Sequence, residues 1–294
     1  MIVNQHVTEK MALYHGDAIE VSADIPENSI HYSVSSIPFA SLYTYSNSDR
    51  DMGNCRSYGE FFEHFMFLLE NWYRITMPGR LVSIHCMNLP TTKQHHGYIG
   101  IQDFRGDIIR TFEKQGFIFH SEVVIWKDPV TAMQRTKALG LLHKQIKKDS
   151  CMSRQGIPDY LCTFRKPGDN PERVTHTNES FPVSLWQRYA SPVWMDINPS
   201  NTLQRTSARE NNDERHICPL QLEVIQRGIE LWSNLGDTVY DPFGGIGSTG
   251  YMALKMGRKT VMSELKQSYY AQMVKNCENA INSDQLVLIG EEMA

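Results

Sequence analysis

The sequence lacks the features that would place it in a membrane, secreted or disulfide-bonded class. No run of about 18 apolar residues occurs, so a transmembrane helix is not expected. Residues 1–10 have no apolar core, which argues against a signal peptide. Because no Cys-x-x-Cys pair occurs, we expect reduced thiols in a cytoplasmic protein, without a disulfide framework or zinc site. The six scattered cysteines are Cys55, Cys86, Cys151, Cys162, Cys218 and Cys277.

An excess of positive charge is lacking as well. The formal net charge is −4, so contact with nucleic acid requires a local basic face. His85 and the pair His95-His96 have no partners at metal-ligand spacing, so a metal site is not predicted. The sequence also contains no internal repeat.

The sequence does contain alternating strand and helix patterns. Its 294 residues, 41% of them hydrophobic and 21% charged, suffice for one large α/β domain or two smaller ones. The alternation predicts a mostly parallel sheet. The connection at 40–57 is long and polar, which is typical of functional loops. We predict strands at 11–14, 30–36, 81–85, 117–126 and 160–165, and helices at 19–23, 58–75, 104–114, 220–232 and 267–281.

A glycine-rich turn near the C-terminal end is the most informative stretch. A strand at 238–240 ends at Asp241-Pro242, and a helix begins near Ser248 with Ser248 or Thr249 as its cap. Residues 245–250 fit G-x-G-x-x-G, and Glu264 follows the next strand, where an acidic residue holds a ribose diol in nucleotide-binding folds. The pattern alone leaves open an NAD-dependent oxidoreductase, or a packed turn without a ligand.

The position of this turn narrows the interpretation. A dehydrogenase opens its nucleotide domain with the glycine turn and then needs several further βα units. Only 44 residues follow Gly250 (294 minus 250), so the remaining strands must come from the N-terminal half. The order is that of a circularly permuted arrangement.

Composition changes between the two halves. Residues 130–155 hold six basic side chains against one acid, Asp149. A charge run taken alone is usually a solvated face. Residues 167–212 are polar and are predicted to be irregular apart from aromatic islands at Phe181, Trp186, Tyr189 and Trp194.

Taken together, these motifs resemble the DNA amino-methyltransferases of the β class, in which the target-base motif precedes the cofactor motif. Ser36-Ile37-Pro38-Phe39 stands where the family has Asp/Asn/Ser-Pro-Pro-Tyr/Phe. Asp241-Pro242-Phe243 followed by the glycine turn is the most diagnostic match. Further similar segments are 14–18, 25–30, 79–82, 124–127, 160–165 and 216–220.

The resemblance implies a three-layer, Rossmann-like α/β fold with a mostly parallel, circularly permuted sheet and an embedded target-recognition segment. Residues 1–128 and 216–294 would form the catalytic methyltransferase domain. Residues 129–215 would form the target-recognition and DNA-binding region.

The resemblance also implies S-adenosyl-L-methionine as methyl donor. By analogy, Asp241 and nearby backbone groups hold its aminoacyl end, Glu264 its ribose hydroxyls and Asp17 its adenine amino group. Asp17 is equally typical of a residue that caps a short helix. The remaining residues expected to line this site are Pro242, Phe243, Gly245, Gly247, Ser248 and Thr249.

The base pocket implied by the resemblance lies at 36–39. The Ser36 hydroxyl and the Ile37 carbonyl would accept hydrogens of the exocyclic amine of adenine (N6) or cytosine (N4), and Pro38 would fix the carbonyl's direction. Phe39 would stack on a flipped base. A plain strand end with a proline stop is the alternative. Pro-Cys, the usual nucleophile pair of carbon-5 cytosine methylation, does not occur.

Two residues of this motif depart from the family pattern. Ile37 replaces the first proline and is expected to loosen the loop. Ser36 replaces the commoner aspartate, is a weaker acceptor and leans slightly toward cytosine N4. A slow or catalytically impaired DNA-binding relative therefore stays open.

The basic stretch becomes the candidate DNA contact once it is placed in the recognition region. Trp186, Arg188, Tyr189 and Trp194 are expected to extend it. The resemblance implies double-stranded DNA as a partner and no association with a membrane. It leaves open a homodimer and a cognate restriction enzyme. The basic residues are Arg135, Lys137, Lys144, Lys147, Lys148 and Arg154.

Overall fold

The computed structural model describes residues 2–39, 50–130, 143–152, 154–203 and 219–292. Within these ranges the strands are β1 (Asn4–Val7), β2 (Met11–His15), β3 (Ile30–Ser36), β4 (Thr76–Met87), β5 (Leu89–Thr91), β6 (Gly100–Gln102), β7 (Ile118–Ile125), β8 (Asp159–Arg165), β9 (Val193–Trp194), β10 (Thr238–Asp241) and β11 (Lys259–Glu264). The helices are α1 (Ala18–Asp24), α2 (Tyr58–Ile75), α3 (Lys93–His96), α4 (Phe104–Gln115), α5 (His143–Ile146), α6 (Val183–Tyr189), α7 (Leu222–Trp232), α8 (Ser248–Lys255) and α9 (Gln267–Glu292).

Nine of the described strands form one mixed sheet, in the order β1-β2-β11-β10-β3-β4-β8-β7-β9. Five consecutive strands of this sheet, β2, β11, β10, β3 and β4, are parallel to one another. Strands β1, β8 and β7 add antiparallel pairings, and β5 with β6 forms a separate hairpin. The late strands β10 and β11 therefore lie between the early strands β2 and β3.

Helices cover both faces of the sheet because apolar side chains along its strands point alternately to one face and to the other. On β4, Val82, Ile84 and Cys86 face the cluster that contains the apolar stripes of α2 and α4, whereas Leu81 faces α7. A third cluster packs α9 against β2 and β11. The mostly parallel sheet predicted from the alternation and the three-layer α/β architecture implied by the resemblance are confirmed.

The long apolar periods of the sequence predict their elements well. β3 and α2 have the predicted bounds, and the α2 stripe of Phe61, Phe65, Leu68 and Trp72 is buried. The last helix runs beyond the predicted residue 281. Among the described residues, no helix combines the length and apolarity needed to cross a bilayer.

In the described part of 167–212, regular structure occurs at the aromatic islands that the prediction of irregular structure excepted. This range contains α6 and the short strand β9, which pairs with β7 at the edge of the main sheet. Tyr189 and Trp194 are buried, and both rings lie against the guanidinium of Arg227 on α7. The expectation that these two aromatics contact DNA is therefore wrong, because they attach this segment to α7.

The described part of the range 129–215 contributes two strands to the main sheet. It includes β8, which lies between β4 and β7, and β9. These two strands are part of the main sheet, and the division of the chain at 129 and 215 stays a prediction. For the rest of the range, a role in DNA recognition stays a prediction.

Candidate active site

The candidate site lies where the strand order reverses. From β3 the chain passes through α2 to β4 on one side, and from β10 it passes through α8 to β11 on the other. Ligands in open α/β sheets bind in the crevice outside the carboxyl ends of the strands at such a point. Here these ends carry Ser36 on β3 and Asp241 on β10, so the two predicted motifs meet at one crevice.

The glycine turn after β10 has two glycines that the backbone requires. Gly245 (φ 53°) and Gly247 (φ 91°) lie in the left-handed region, which disfavours other residues. A Cβ on Gly245 would have its nearest neighbour, the Phe243 carbonyl oxygen, at 3.9 Å, so this side of the turn is open. Gly250 differs, since its Cβ would lie 2.2 Å from Met262 Cε on β11 and 3.0 Å from Cys277 Sγ on α9, both of which pack against α8. The first two glycines shape the turn, and the third permits helix packing.

The predicted cap of α8 is wrong. Gly247 is the N-cap residue, and no side chain caps the helix there. The Thr249 hydroxyl instead donates to Asp241 Oδ2 at 2.8 Å and also lies 3.2 Å from the Val34 carbonyl oxygen. Ser248 is buried in the first turn of the helix. The hydroxyl of Thr249 therefore fastens the turn to β3 and β10.

Asp241 is buried and accepts three hydrogen bonds from its surroundings. Its Oδ1 accepts from Ser35 Oγ at 2.6 Å and from the Phe243 amide at 3.0 Å, while Thr249 donates to Oδ2. Burial raises the pKa of this carboxyl, although the three bonds oppose the shift. The Ser35–Asp241 bond joins the strand of the base motif to the strand of the cofactor motif.

Glu264 ends β11 beside the open face of the glycine turn. Its Oε2 accepts from the Gly245 amide at 2.9 Å and its Oε1 from the Lys266 amide at 2.8 Å. Burial raises the pKa of Glu264 to about 7. The carboxylate is therefore placed at the turn with a protonation equilibrium near neutral pH.

Asp17 follows β2 and caps α1. Its Oδ1 accepts from the amides of Ile19 at 2.9 Å and Glu20 at 3.2 Å, as an N-cap residue does. Burial raises its pKa, and the bond from Ile19 opposes the shift. The capping role considered for Asp17 is thus present, and its predicted contact with adenine remains a prediction. Asp17 and Glu264 lie at the same edge, since β2 is parallel to β11 with His15 opposite Glu264.

The base motif continues from the end of β3. Ile37 is 1% exposed and packs in the cluster of α2 and α4. The loosening expected from replacing proline is offset by this packing, which anchors the loop through a core side chain. Phe39 is half-buried, and its ring makes edge contacts with Phe104 and with His85, each at a centroid distance of 6.3 Å. Pro38 lies between Ile37, which is anchored in the core, and the half-buried Phe39.

His85, Asp159 and Lys127 extend this pocket and were not predicted. Ser36 Oγ lies 3.0 Å from His85 Nδ1, and His85 Nε2 lies 3.1 Å from Asp159 Oδ2. Lys127 pairs with the other oxygen of Asp159. Burial acts to raise the pKa of Asp159, but His85 and Lys127 outweigh it and hold the pKa below its usual value.

One sequence signal for His85 was available. The strand predicted next to 30–36 ends at His85, and parallel neighbours bring their carboxyl ends together. In the sheet, Ser36 and His85 are direct register partners. Asp159 gave no such signal, because its place depends on the antiparallel pairing of β8 with β4 and β7.

The basic segment leaves the sheet at the same edge. Ile125 at the end of β7 pairs with Asp159 at the start of β8, so the connection between them begins and ends beside His85. Lys144, Lys147 and Lys148 are exposed on it. Arg154 is partly buried and donates to the Gln155 carbonyl. Arg135 and Lys137 lie outside the described residues.

Comparison with known proteins identifies a family. The family model for DNA methylases, N6/N4 methyltransferases, matches residues 30–275. The type II methyltransferase M.MjaI of Methanocaldococcus jannaschii is 25% identical over 205 residues, covering 68% of this chain and 61% of that protein. The chain thus spans about three fifths of that relative's length.

Two solved structures have the same fold. A protein of Thermus thermophilus, described as a putative DNA modification methylase and complexed with S-adenosyl-L-methionine, gives a TM-score of 0.68 at 22% identity, over 93% of this chain and 95% of that one. PvuII DNA methyltransferase, described as cytosine-N4-specific, gives a TM-score of 0.66 at 16% identity, over 94% and 90%. Because the family model matches most of its length, the chain belongs to the DNA methylase family of N6/N4 methyltransferases.

Proposed function

We propose that this protein transfers a methyl group from S-adenosyl-L-methionine to the exocyclic amino group of adenine or cytosine in double-stranded DNA. The observation that carries the proposal is the 2.6 Å hydrogen bond from Ser35 Oγ to Asp241 Oδ1. It joins the cofactor motif to the strand whose next residue, Ser36, opens the base motif. The family supports the same assignment, and one relative's structure is described as a complex with this methyl donor.

The residues at the turn fit this cofactor chemically. Glu264 offers a carboxylate, the kind of group that accepts hydrogen bonds from a ribose diol. Gly245 leaves room for close approach of a ligand to the backbone. Asp17 stands at the same edge, where it would meet the adenine amino group. When bound, the sulfonium supplies an electrophilic methyl group; the chain binds it, orients it and excludes water.

On the base side, the chain acts by holding hydrogen-bond acceptors. An exocyclic amine is a poor nucleophile because its lone pair is delocalised into the ring. Acceptors aimed at its hydrogens favour the pyramidal geometry in which nitrogen attacks. Ser36 Oγ and the Ile37 carbonyl are the acceptors in this proposal. Phe39 supplies an aromatic face for a base that has left the duplex.

Several predictions from the sequence remain proposals at this level. We propose that Lys144, Lys147, Lys148 and Arg154, with Arg135 and Lys137, contact the DNA backbone, and that residues 129–215 contain the target-recognition region. A permuted order of the fold, a homodimer, a cognate restriction enzyme and a cytoplasmic location stay predictions. The oxidoreductase alternative is set aside, because the family is that of DNA methylases.

Calorimetric titration tests the cofactor half of the proposal. We expect S-adenosylhomocysteine to bind the protein and NAD not to bind. Glu264→Ala should weaken the first interaction, since it removes the carboxylate beside the turn. Binding of NAD in preference to S-adenosylhomocysteine would contradict the proposal.

A further inference from the structure

We propose that His85, held by Asp159, positions Ser36 and receives the proton that the target amine loses. The inference rests on the proposed function, because it assigns the fate of a proton in that reaction. Three contacts in series carry it: Ser36 Oγ to His85 Nδ1 at 3.0 Å, His85 Nε2 to Asp159 Oδ2 at 3.1 Å, and Lys127 to the remaining carboxylate oxygen.

The contacts determine which ring nitrogen carries the proton. A neutral imidazole has one donor and one acceptor nitrogen. His85 Nε2 lies 3.1 Å from Asp159 Oδ2 without the geometry of a hydrogen bond, but the negative charge of this carboxylate favours the proton on Nε2, and in the proposed arrangement Nδ1 then accepts from the Ser36 hydroxyl. The hydrogen of that hydroxyl then points to His85, and the oxygen lone pairs are left for the hydrogens of the amine.

This arrangement explains how a serine serves where the family commonly has an aspartate. A serine hydroxyl donates as readily as it accepts, and alone it is a weaker acceptor than a carboxylate. His85 is 7% exposed and has Phe39 at its edge, so it lies beside the space assigned to the flipped base. Ser36 carries no negative charge, and Asp159 supplies one that acts on it through His85.

The step balances as follows. The nitrogen–methyl bond forms while the methyl–sulfur bond breaks, and the electron pair of the broken bond goes to sulfur. The amine loses one proton, which passes to Ser36 Oγ as the hydroxyl proton passes to His85 Nδ1. The products are the methylated base, S-adenosylhomocysteine and an imidazolium paired with Asp159, which afterwards releases its proton to water.

Among the described residues, the pair of His85 and Asp159 has charged and uncharged neighbours from several elements. Asp159 faces His85 from β8, and Lys127 follows β7 and faces Asp159. The neighbours from β3 and the base loop are the uncharged Ser36 and Phe39. Protonation of His85 before reaction would remove the acceptor for the Ser36 hydroxyl. The rate should therefore fall on the acid side.

The test measures methyl incorporation into long, unmethylated, mixed-sequence duplex DNA as a function of pH. His85→Asn keeps an acceptor near the Nδ1 position but cannot take up a proton. We expect its kcat to fall by about 10- to 100-fold, KM for DNA to change by less than about threefold, and the acid limb of the profile to disappear. His120→Asn, which changes an exposed histidine on β7, is the matched control and should behave as the parent.

Two further variants separate this role from a structural one. Asp159→Asn leaves His85 in place, and it should lower kcat with little change in KM for DNA, because the imidazolium that forms in the reaction loses its carboxylate partner. This variant also provides the readout if His85→Asn does not fold. Ser36→Ala combined with His85→Asn should be no slower than Ser36→Ala alone, within about twofold, because His85 acts through Ser36.

The outcomes are distinguishable. An active parent with unchanged kcat and pH profile in His85→Asn and Asp159→Asn would overturn the proton relay and leave the methyltransferase assignment standing. Full additivity of the Ser36 and His85 losses would also overturn it. A parent that binds duplex DNA and S-adenosylhomocysteine yet transfers no methyl group would contradict the proposed function itself.

Discussion

At the residue scale, Ser36 is the side chain on which the proposed base pocket depends. Its hydroxyl lies at the end of β3, in contact with His85, and its neighbour Ser35 is bound to Asp241. Two adjacent serines on opposite faces of one strand therefore serve different purposes. Ser35 joins the two halves of the site, and Ser36 is free to meet the substrate.

Replacing Ser36 by alanine should slow the reaction without unfolding the protein. We expect kcat for methyl incorporation to fall by about 10- to 100-fold, because one acceptor aimed at the amine is lost. Ser121→Ala, on the exposed part of β7, is the matched control. An unchanged rate for Ser36→Ala would remove this residue from the active site.

Glu264 should make cofactor binding depend on pH. Its pKa is raised by burial from 4.5 to about 7 in the folded protein, and only the ionised form accepts two ribose hydroxyls. Below pH 7 we expect the affinity for S-adenosylhomocysteine to fall by up to about tenfold per pH unit. Calorimetric titrations between about pH 6 and about pH 8 measure this, and Glu264→Gln should flatten the dependence. Equal pH dependence in the variant would contradict the assignment.

The raised pKa of Glu264 also makes the stability of the protein depend on pH, in the direction opposite to that of cofactor binding. Between pH 4.5 and about 7 the folded protein retains a proton on Glu264 that the unfolded chain has released. The free energy of unfolding of the ligand-free protein should therefore fall as pH rises through this window. A difference in that slope between the parent and Glu264→Gln reports the contribution of this one group.

At the element scale, the close packing of α7 on β3 depends on Gly228. A Cβ at this position would lie 2.4 Å from the hydroxyl and 3.3 Å from Cζ of Tyr32, a rigid and fully buried side chain. Gly228→Ala should lower the free energy of unfolding by about 1–2 kcal/mol, since the overpacking exceeds the gain of about 1 kcal/mol in helix propensity. Denaturant unfolding measures it.

Two companion variants test that explanation. Gly228→Ala combined with Tyr32→Phe should recover part of the loss, because the nearest atom is removed. Gly59→Ala, in the first turn of α2, meets only Ser57 Oγ at 3.9 Å and should be neutral or stabilising. A parent-like stability of Gly228→Ala would show that the layers can separate at little cost.

Comparison of elements shows where sequence patterns suffice. Helix α2 and strand β3 were predicted to the residue because their apolar periods are long and their ends carry clear stop signals. Strand β1 was missed because it is an exposed edge strand, NQHV, without apolar alternation. Strand β9 is only two residues long, and its place depends on pairing with the distant β7.

The residues of the candidate site also divide into those that sequence patterns locate and those that they do not. The glycine turn and the segment at 36–39 are continuous in sequence, so their motifs located them. The contact of His85 with Asp159 joins residues 74 positions apart and depends on the register of two strands. Such a contact leaves no local pattern. The same holds for Arg227, which is buried between Tyr189 and Trp194.

At the scale of the whole molecule, a net charge of −4 must be reconciled with the proposed binding to DNA. The exposed Lys144, Lys147 and Lys148 lie on the connection that leaves the sheet beside the site. Affinity for duplex DNA should fall steeply with salt, and Lys147→Ala with Lys148→Ala should reduce the slope of log K against log salt by about 2. Titrations at several salt concentrations measure the slope.

A matched control uses lysines at the other end of the sheet. Lys10 and Lys259 are exposed at the amino ends of β2 and β11, opposite the candidate site. Replacing both by alanine removes the same charge and should leave the slope unchanged. Equal effects of the two pairs would mean that the lysines act only through net charge.

The proposed reaction is tested most directly by identifying its product. The protein is incubated with S-adenosyl-L-methionine and unmethylated duplex DNA of mixed sequence, and the DNA is digested to nucleosides for mass analysis, with Ser36→Ala in parallel. We expect one methylated nucleoside, either N6-methyldeoxyadenosine or N4-methyldeoxycytidine, formed by the parent and strongly reduced in the variant. A parent that binds the cofactor and DNA but forms neither nucleoside would contradict the assignment.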